Sequence, residues 1–128
     1  MKVIFEPVAQ NTIIRPIAQA VCLAHGGQLV DYTDTSDHKR KSIDVRDLYF
    51  LRLQTTINKR KVDIDAAQIA LKAEHEPILV QVNINDVQVL ISQTTTVEQA
   101  MIQFYKKLKQ QQKKEENLYL KAQQQFGR

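Results

Sequence analysis

The sequence predicts an α+β fold: a mostly antiparallel sheet of about four strands with helices packed on one face, and a long projecting C-terminal helix. A length of 128 residues fits one ordinary domain with its own hydrophobic core. The apolar residues change along the chain between the spacing of helices and the alternation of strands. With only three Gly and three Pro, tight turns are few, which favours substantial helix.

The first quarter of the chain predicts a strand, a helix and a second strand. Residues 2–5 form a short apolar strand, and residues 13–25 carry apolar side chains at helical spacing. Pro16 suits the first turn of this helix, and Gly26 suits its end. Residues 28–32 are then predicted as a strand.

A second helix is predicted to begin near Ser42. Ser42 can cap a helix that begins at Ile43, with Asp44 and Asp47 in its first turns, where the positive end of the helix dipole favours carboxylates. The stretch 49–57 fits the end of this helix and an alternating strand equally well, so both alternatives stay open.

The middle of the chain predicts another helix and a hairpin. Residues 64–73 place their alanines and Ile69 on one face, an Asp at 63 or 65 can cap them, and a proline at 77 prevents continuation. Residues 78–84 and 87–91 alternate as strands around a two-residue Asn-Asp turn, which predicts a hairpin.

The last helix begins with a capping box formed by Thr95 or Thr96 and a Glu or Gln three residues later. No apolar residue occurs over 109–117, so we divide the chain into a core domain, 1–108, and a Gln/Lys-rich extension, 109–128, that is helical or frayed. Apolar residues return at helical spacing near the end, and they pack back, form a homodimer or fray. These residues are Leu118, Tyr119, Ala122 and Phe126.

The sequence predicts a cytoplasmic location. Cys22 has no second cysteine with which to form a disulfide, and the N-terminal residues lack the apolar stretch of a signal peptide. No run of about 18 apolar residues exists, so no membrane-spanning helix and no membrane partner are expected.

No metal, no cofactor and no catalytic residue is expected. His25, His38 and His75 fall on three different predicted elements, so a zinc site would need ligands from distant segments. The chain has no glycine-rich phosphate loop, no nucleophile elbow and no His-Glu-x-x-His motif. The sequence therefore predicts a binding protein and not an enzyme.

Two compact basic clusters make nucleic acid an alternative partner. The formal net charge is +4, and grouped cations gain from counterion release on a phosphate backbone. Solvated surface charge explains such clusters equally well. The candidate nucleic-acid-binding residues are Lys39, Arg40, Lys41, Lys59, Arg60 and Lys61. Aromatic residues that could stack on bases, or fill a core instead, are Tyr32, Tyr49, Phe50 and Tyr105.

The region 2–53 resembles phosphocarrier proteins of the HPr family. In that family a strand leads through a histidine-containing loop with Arg-Pro into a helix, and here Arg15-Pro16 follows the strand at 2–5. Ile13 stands at the position of the phosphorylated histidine, so phosphotransfer chemistry is not implied. The Lys41-Ser42-Ile43 segment matches the regulatory serine segment of the family, which opens its second helix.

A chain that keeps this serine and lacks the histidine is similar to the catabolite-repression paralogues of HPr. Those proteins dock on a protein partner when the serine is phosphorylated. The resemblance implies a non-catalytic regulatory or adaptor protein with Ser42 as the regulatory phosphorylation candidate. A phosphate there would gain from the free N–H groups of a helix start. The implied partner-binding residues are Arg15, Lys41, Ser42 and Arg46.

Overall fold

A computed structural model describes the backbone of residues 1–8, 12–49 and 51–126, and the side chains of these ranges through Lys113. The elements, in chain order, are β1 (Lys2–Phe5), α1 (Ile14–Ala24), β2 (Val30–Asp34), β3 (Lys39–Ile43), a 3₁₀ helix (Val45–Leu48), β4 (Leu53–Ile57), β5 (Arg60–Ile64), α2 (Ala66–Ala73), β6 (Leu79–Ile84), β7 (Val87–Ile91) and α3 (Val97–Phe126). The α+β class is confirmed.

The sheet differs from the predicted one in two respects. It has five strands in the order β5-β4-β1-β6-β7, and it is mixed, because β1 pairs parallel with β6 and antiparallel with β4. The strands β2 and β3 form a separate two-stranded antiparallel sheet. Strand order depends on pairing between distant segments, which local patterns do not encode.

Helix α1 lies between the two sheets. It contacts β6 and β7 on one side, and β2, β3, the 3₁₀ helix and α2 on others. Eight of its 11 residues are buried, including the small residues Ala18, Ala20, Cys22 and Ala24. A helix that is apolar on nearly every side has to be enclosed, and small side chains let neighbouring backbones approach closely.

The prediction of a helix that begins at Ile43 with Ser42 as its cap is wrong. Ser42 lies within β3, opposite Asp31 of β2, and β3 begins with three basic residues whose pattern carries no apolar alternation. The helical turn begins two residues later and is a short 3₁₀ helix. Asp44 is its cap, and the side chain of Asp47 accepts a hydrogen bond from the Asp44 backbone N–H. The acidic residues therefore do mark the start of a helical turn, but that turn begins two residues later than predicted.

A glycine fixes the 3₁₀ helix against α1. Gly27 has φ +79°, and a Cβ there would lie 2.9 Å from the Cβ of Val45. The Val45 backbone N–H also donates to the Gly27 carbonyl at 3.1 Å. Only glycine combines this backbone conformation with such a close approach.

Within the ambiguous stretch 49–57, Tyr49 ends the 3₁₀ helix and Leu53–Ile57 form β4, and the hairpin of β6 and β7 is confirmed. Asn85 and Asp86 form its turn with φ of 51° and 63°, values that suit the type I′ turn of a two-residue hairpin. Asn58 and Lys59 form a second turn of this kind between β4 and β5.

The predicted caps of the later helices are confirmed. Asp65 accepts from the Ala67 backbone N–H and starts α2, while Thr96 and Gln99 form the capping box of α3. Helix α3 continues without a break across the proposed boundary between 108 and 109, so the division into core and extension stays a prediction. No helix of the described residues is long and apolar enough to cross a membrane.

We expect Cys22 to resist thiol-modifying reagents in the folded protein and to react after unfolding. Burial, together with the carboxylates of Asp44 and Asp47, raises the pKa of the Cys22 thiol to about 12, and the thiolate is the reactive form. Maleimide labelling at neutral pH, with and without denaturant, measures this by mass. Equal labelling rates in the two states would contradict the buried position of this residue.

Candidate functional site

A groove with an apolar floor runs between the N-terminal half of α3 and the hairpin of β2 and β3. Its volume is about 660 Å³. Apolar side chains come from the first turn of α1 and from α3, and polar ones come mostly from the hairpin. The lining residues are Ile14, Asp31, Tyr32, Thr33, Thr35, Arg40, Val97, Glu98, Met101, Ile102 and Tyr105.

Two large apolar side chains of α3 are exposed to solvent at this groove. Ile102 is 67% exposed and Tyr105 is 52% exposed. The ring of Tyr105 meets the buried ring of Phe104 edge to face, with 5.3 Å between centroids. Contiguous exposed apolar surface beside a concavity is typical of interaction sites, and single scattered apolar residues are not.

The rim of the groove is charged. Arg40 lies 3.6 Å from the Asp31 carboxylate, and both remain largely exposed, so their pairing is weak. Glu98 lies in the first turn of α3 and forms no ion pair with any side chain described here. An apolar centre with a polar rim is the usual arrangement of a protein-binding surface.

None of the four partner-binding residues predicted from the sequence lines this groove, but three of them neighbour a lining residue in the chain or across the hairpin. Ser42 is exposed and pairs across the hairpin with Asp31, which lines the groove. Arg15 is exposed next to Ile14, and its charge acts on the pKa of Tyr32, although burial is the main cause that raises that pKa. Lys41 follows Arg40 in β3.

The side chain of Lys41 is held inside its own hairpin. Its Nζ atom lies 2.9 Å from Asp34 and 3.0 Å from Asp37. Hydrogen bonds from the Ser36 hydroxyl and backbone N–H, with help from Lys41, lower the pKa of Asp34 to about 2. Lys41 is therefore a structural cation of the turn and is less available to a partner than Arg15.

Arg46 lies in the 3₁₀ helix and is not a lining residue of the groove. Its guanidinium donates three hydrogen bonds to the Asp44 carboxylate, the shortest at 2.7 Å, and this contact lowers the pKa of the Asp44 carboxyl. The arginine is exposed, so the contact adds little stability.

The two basic clusters do not form one surface stripe within a single sheet. The first belongs to β3 in the two-stranded sheet, where residues 30–48 contain five acidic residues against four Lys or Arg. The second lies at the tip of the β4 and β5 hairpin, where Lys59, Arg60 and Lys61 are exposed. Neither cluster leads directly into a helix, because β3 and β5 occupy those segments.

Of the aromatic residues named from the sequence, Tyr32 is buried, and Tyr49 and Tyr105 are exposed. Phe50 lies outside the described residues, as do the side chains of Leu118, Tyr119, Ala122 and Phe126, whose homodimer contact stays a prediction. His25 makes a hydrogen bond of 2.9 Å to the Thr95 carbonyl. No cluster of potential metal ligands occurs among the described side chains.

A larger concavity of about 820 Å³ lies beside β1, β4 and β5. Its carboxylates already have structural partners: Asp63 accepts from Gln54 at 3.2 Å, and Asp65 caps α2. Polar and apolar surface line this concavity about equally, whereas apolar surface predominates in the groove beside α3, so we regard that groove as the better candidate site.

Sequence reasoning missed Ile102 as a site residue. Val97, Met101, Phe104 and Leu108 form an apolar stripe at helical spacing in this part of the chain, and Ile102 lies outside that stripe. An apolar residue one position off a helical stripe was the available signal, since such a residue has no core to enter.

We expect the hairpin of β2 and β3 to lose stability in acid. The pKa of Asp34 is lower in the folded protein than its ordinary value of 3.8, so its stabilising effect is present above that value and disappears as pH falls through about 2. Carboxyl NMR titration should show the lowered pKa, and Ser36→Ala should raise it. An ordinary pKa for Asp34 in the unmodified chain would contradict these contacts.

Comparison with known proteins gives no relative. No protein-family model, no curated protein and no solved structure matches this chain with significance.

Proposed function

We propose that this chain is a non-catalytic adaptor that binds an apolar segment of a partner protein in the groove between α3 and the β2 and β3 hairpin. One observation carries the proposal: Ile102 and Tyr105 are large, exposed and adjacent to a concave surface with an apolar floor. Neither side chain belongs to the hydrophobic core, so core packing does not explain why large apolar groups occur at these two positions.

The energetics favour these two residues as the centre of an interface. Full burial of a large apolar side chain contributes about 1.5–3 kcal/mol, and tyrosine is enriched among residues that dominate binding energy. A stable interface buries at least about 1,000 Å² in total, so the partner must also contact the hairpin. Arg40 and Thr33 lie on the hairpin face that a partner would reach.

The charges at the rim define the chemistry of the partner segment. Glu98 adds a negative charge at one side of the groove, and Asp31 is only weakly held by Arg40. An amphipathic helix with apolar anchors and a flanking Lys or Arg fits this combination, as in other helix-in-groove complexes.

The resemblance to HPr-type regulators supports the same functional class. Arg15-Pro16 lies in the first turn of the helix that follows β1, as in that family. Ser42 remains the proposed phosphorylation site, but it lies in a strand, so the free N–H groups of a helix start do not act on it. A phosphate at Ser42 acts instead by adding negative charge beside Asp31.

We expect Ile102→Glu to weaken partner binding at least about tenfold, because a carboxylate would have to be buried in an apolar contact. A photo-crosslinking residue at position 105 in the full chain identifies the contacting segment, and a synthetic peptide of that segment gives the affinity by calorimetry. Leu71→Glu is the matched control, because Leu71 is 61% exposed on α2, away from the groove.

Equal loss of affinity in both variants, or no loss in either, would contradict the proposal. Crosslinking to nucleic acid in place of protein, abolished by nuclease, would favour binding through the basic clusters.

We expect Ser42→Asp to strengthen binding of a basic-flanked segment several-fold at low salt and to lose this effect at high salt, because the added charge acts through solvent. Thr56→Asp serves as control, since Thr56 is an exposed strand residue of the other sheet. Unchanged affinity after Ser42→Asp would remove Ser42 from the proposed function.

A further inference from the structure

The two edge strands of the five-stranded sheet differ in whether side chains cover their outward backbone groups. On the β7 edge, Gln103 of α3 donates to the Leu90 carbonyl and accepts from the Leu90 N–H, and Lys107 donates to the Gln88 carbonyl. These side chains occupy the backbone groups that a further strand would use. On the β5 edge, no described side chain makes a comparable bond to the backbone.

The hairpin turns define which backbone groups point outward. In a two-residue hairpin the residues that flank the turn bond to each other, and the outward groups belong to every second residue from there. In β7 the residues whose backbone groups point outward are therefore Gln88 and Leu90, and these are the residues to which side chains of α3 form hydrogen bonds. For β5 the same alternation assigns Lys61 and Asp63.

Three antiparallel registers bring the outward residues of two β5 strands opposite each other. A pairing centred on Lys61 places that lysine against its own copy, and a pairing centred on Asp63 does the same for the aspartate. Like charges directly opposite are destabilising. A pairing centred on Val62 places Lys61 opposite Asp63 at both ends of the contact, so both pairs are attractive.

We propose that the chain forms a twofold-symmetric dimer in which β5 of one copy pairs antiparallel with β5 of a second copy about Val62, with Lys61 of each facing Asp63 of the other. The pairing extends the sheet across the dimer axis. It is an isologous contact, because each copy contributes the same strand.

Exposed apolar groups support this occupant. Val62 is 40% exposed and Ile57 on the neighbouring strand is 50% exposed, and both lie on the side of the sheet that carries the helices. In the proposed register Val62 packs against its copy, and Ile64 of one chain lies opposite Arg60 of the other. An unrelated strand has no reason to carry a matching charge order, whereas a second copy does so by symmetry.

Charge reversal in the full chain tests the register by sedimentation equilibrium at low salt. Lys61→Asp and Asp63→Lys each place like charges opposite one another and should raise the dimer Kd at least about tenfold. An equimolar mixture of the two variants should form a heterodimer, since each then supplies the charge that the other lacks. The double variant Lys61→Asp with Asp63→Lys should dimerise like the original chain.

Lys106→Asp is the matched control, because Lys106 is exposed on α3 and its change reverses the same charge. Circular dichroism checks that each variant is folded. A chain that stays monomeric to millimolar concentration would overturn the proposal, and so would a dimer that both single variants leave unchanged. Failure of the mixture and of the double variant to associate would exclude the register. This experiment measures dimerisation and not binding in the groove, which the Ile102→Glu variant tests separately.

Discussion

The enclosure of α1 is the constraint on which the rest of the structure depends. The helix is buried on nearly all sides, with Ile17, Val21 and Leu23 fully covered. The five-stranded sheet covers one side, and α3, the hairpin of β2 and β3, the 3₁₀ helix and α2 cover the others. Among the described strands, none of the hairpin sheet pairs with the large sheet, and α1 contacts both sheets and so joins them.

The groove follows from this arrangement. The hairpin is held against α1 through Val30, Tyr32 and Ile43, which alternate inward. Asp31, Thr33 and Arg40 lie on its other face and line the groove together with Tyr32. Helix α3 is fixed in turn by Phe104 in the core and by its contacts with β7. Two elements that pack on the core therefore stand on either side of the groove, and packed elements can present a preorganised binding surface.

The charged residues that looked like a binding signature in the sequence divide into two kinds. Those of β3 and its turn are largely engaged with acids of the same hairpin, as Lys41 is with Asp34 and Asp37. Those of β5 mark the free edge of a sheet, where lysines commonly discourage unwanted pairing. Because Lys61 and Asp63 alternate along this edge, they favour antiparallel pairing with a second strand in one register and disfavour the other registers.

The sequence was informative wherever the signal was local. The turn at 85–86 was predicted, and Asp65 and Thr96 were each one of two cap residues that the sequence offered. All of these signals depend on neighbours in the chain. The strand β3 was missed because its first four residues are polar and only Ile43 is buried. The mixed sheet and the groove were not predictable, because both depend on which distant segments pack together.

Amide and methyl NMR shifts of the full chain, recorded while the crosslinked partner peptide is added, test the central claim most directly. If the peptide binds in the groove, the largest changes occur at Ile14, Met101, Ile102 and Tyr105 and on the outward face of β2 and β3. Changes centred instead on the helix-free face of the five-stranded sheet, around Gln54 and Gln81, would contradict it.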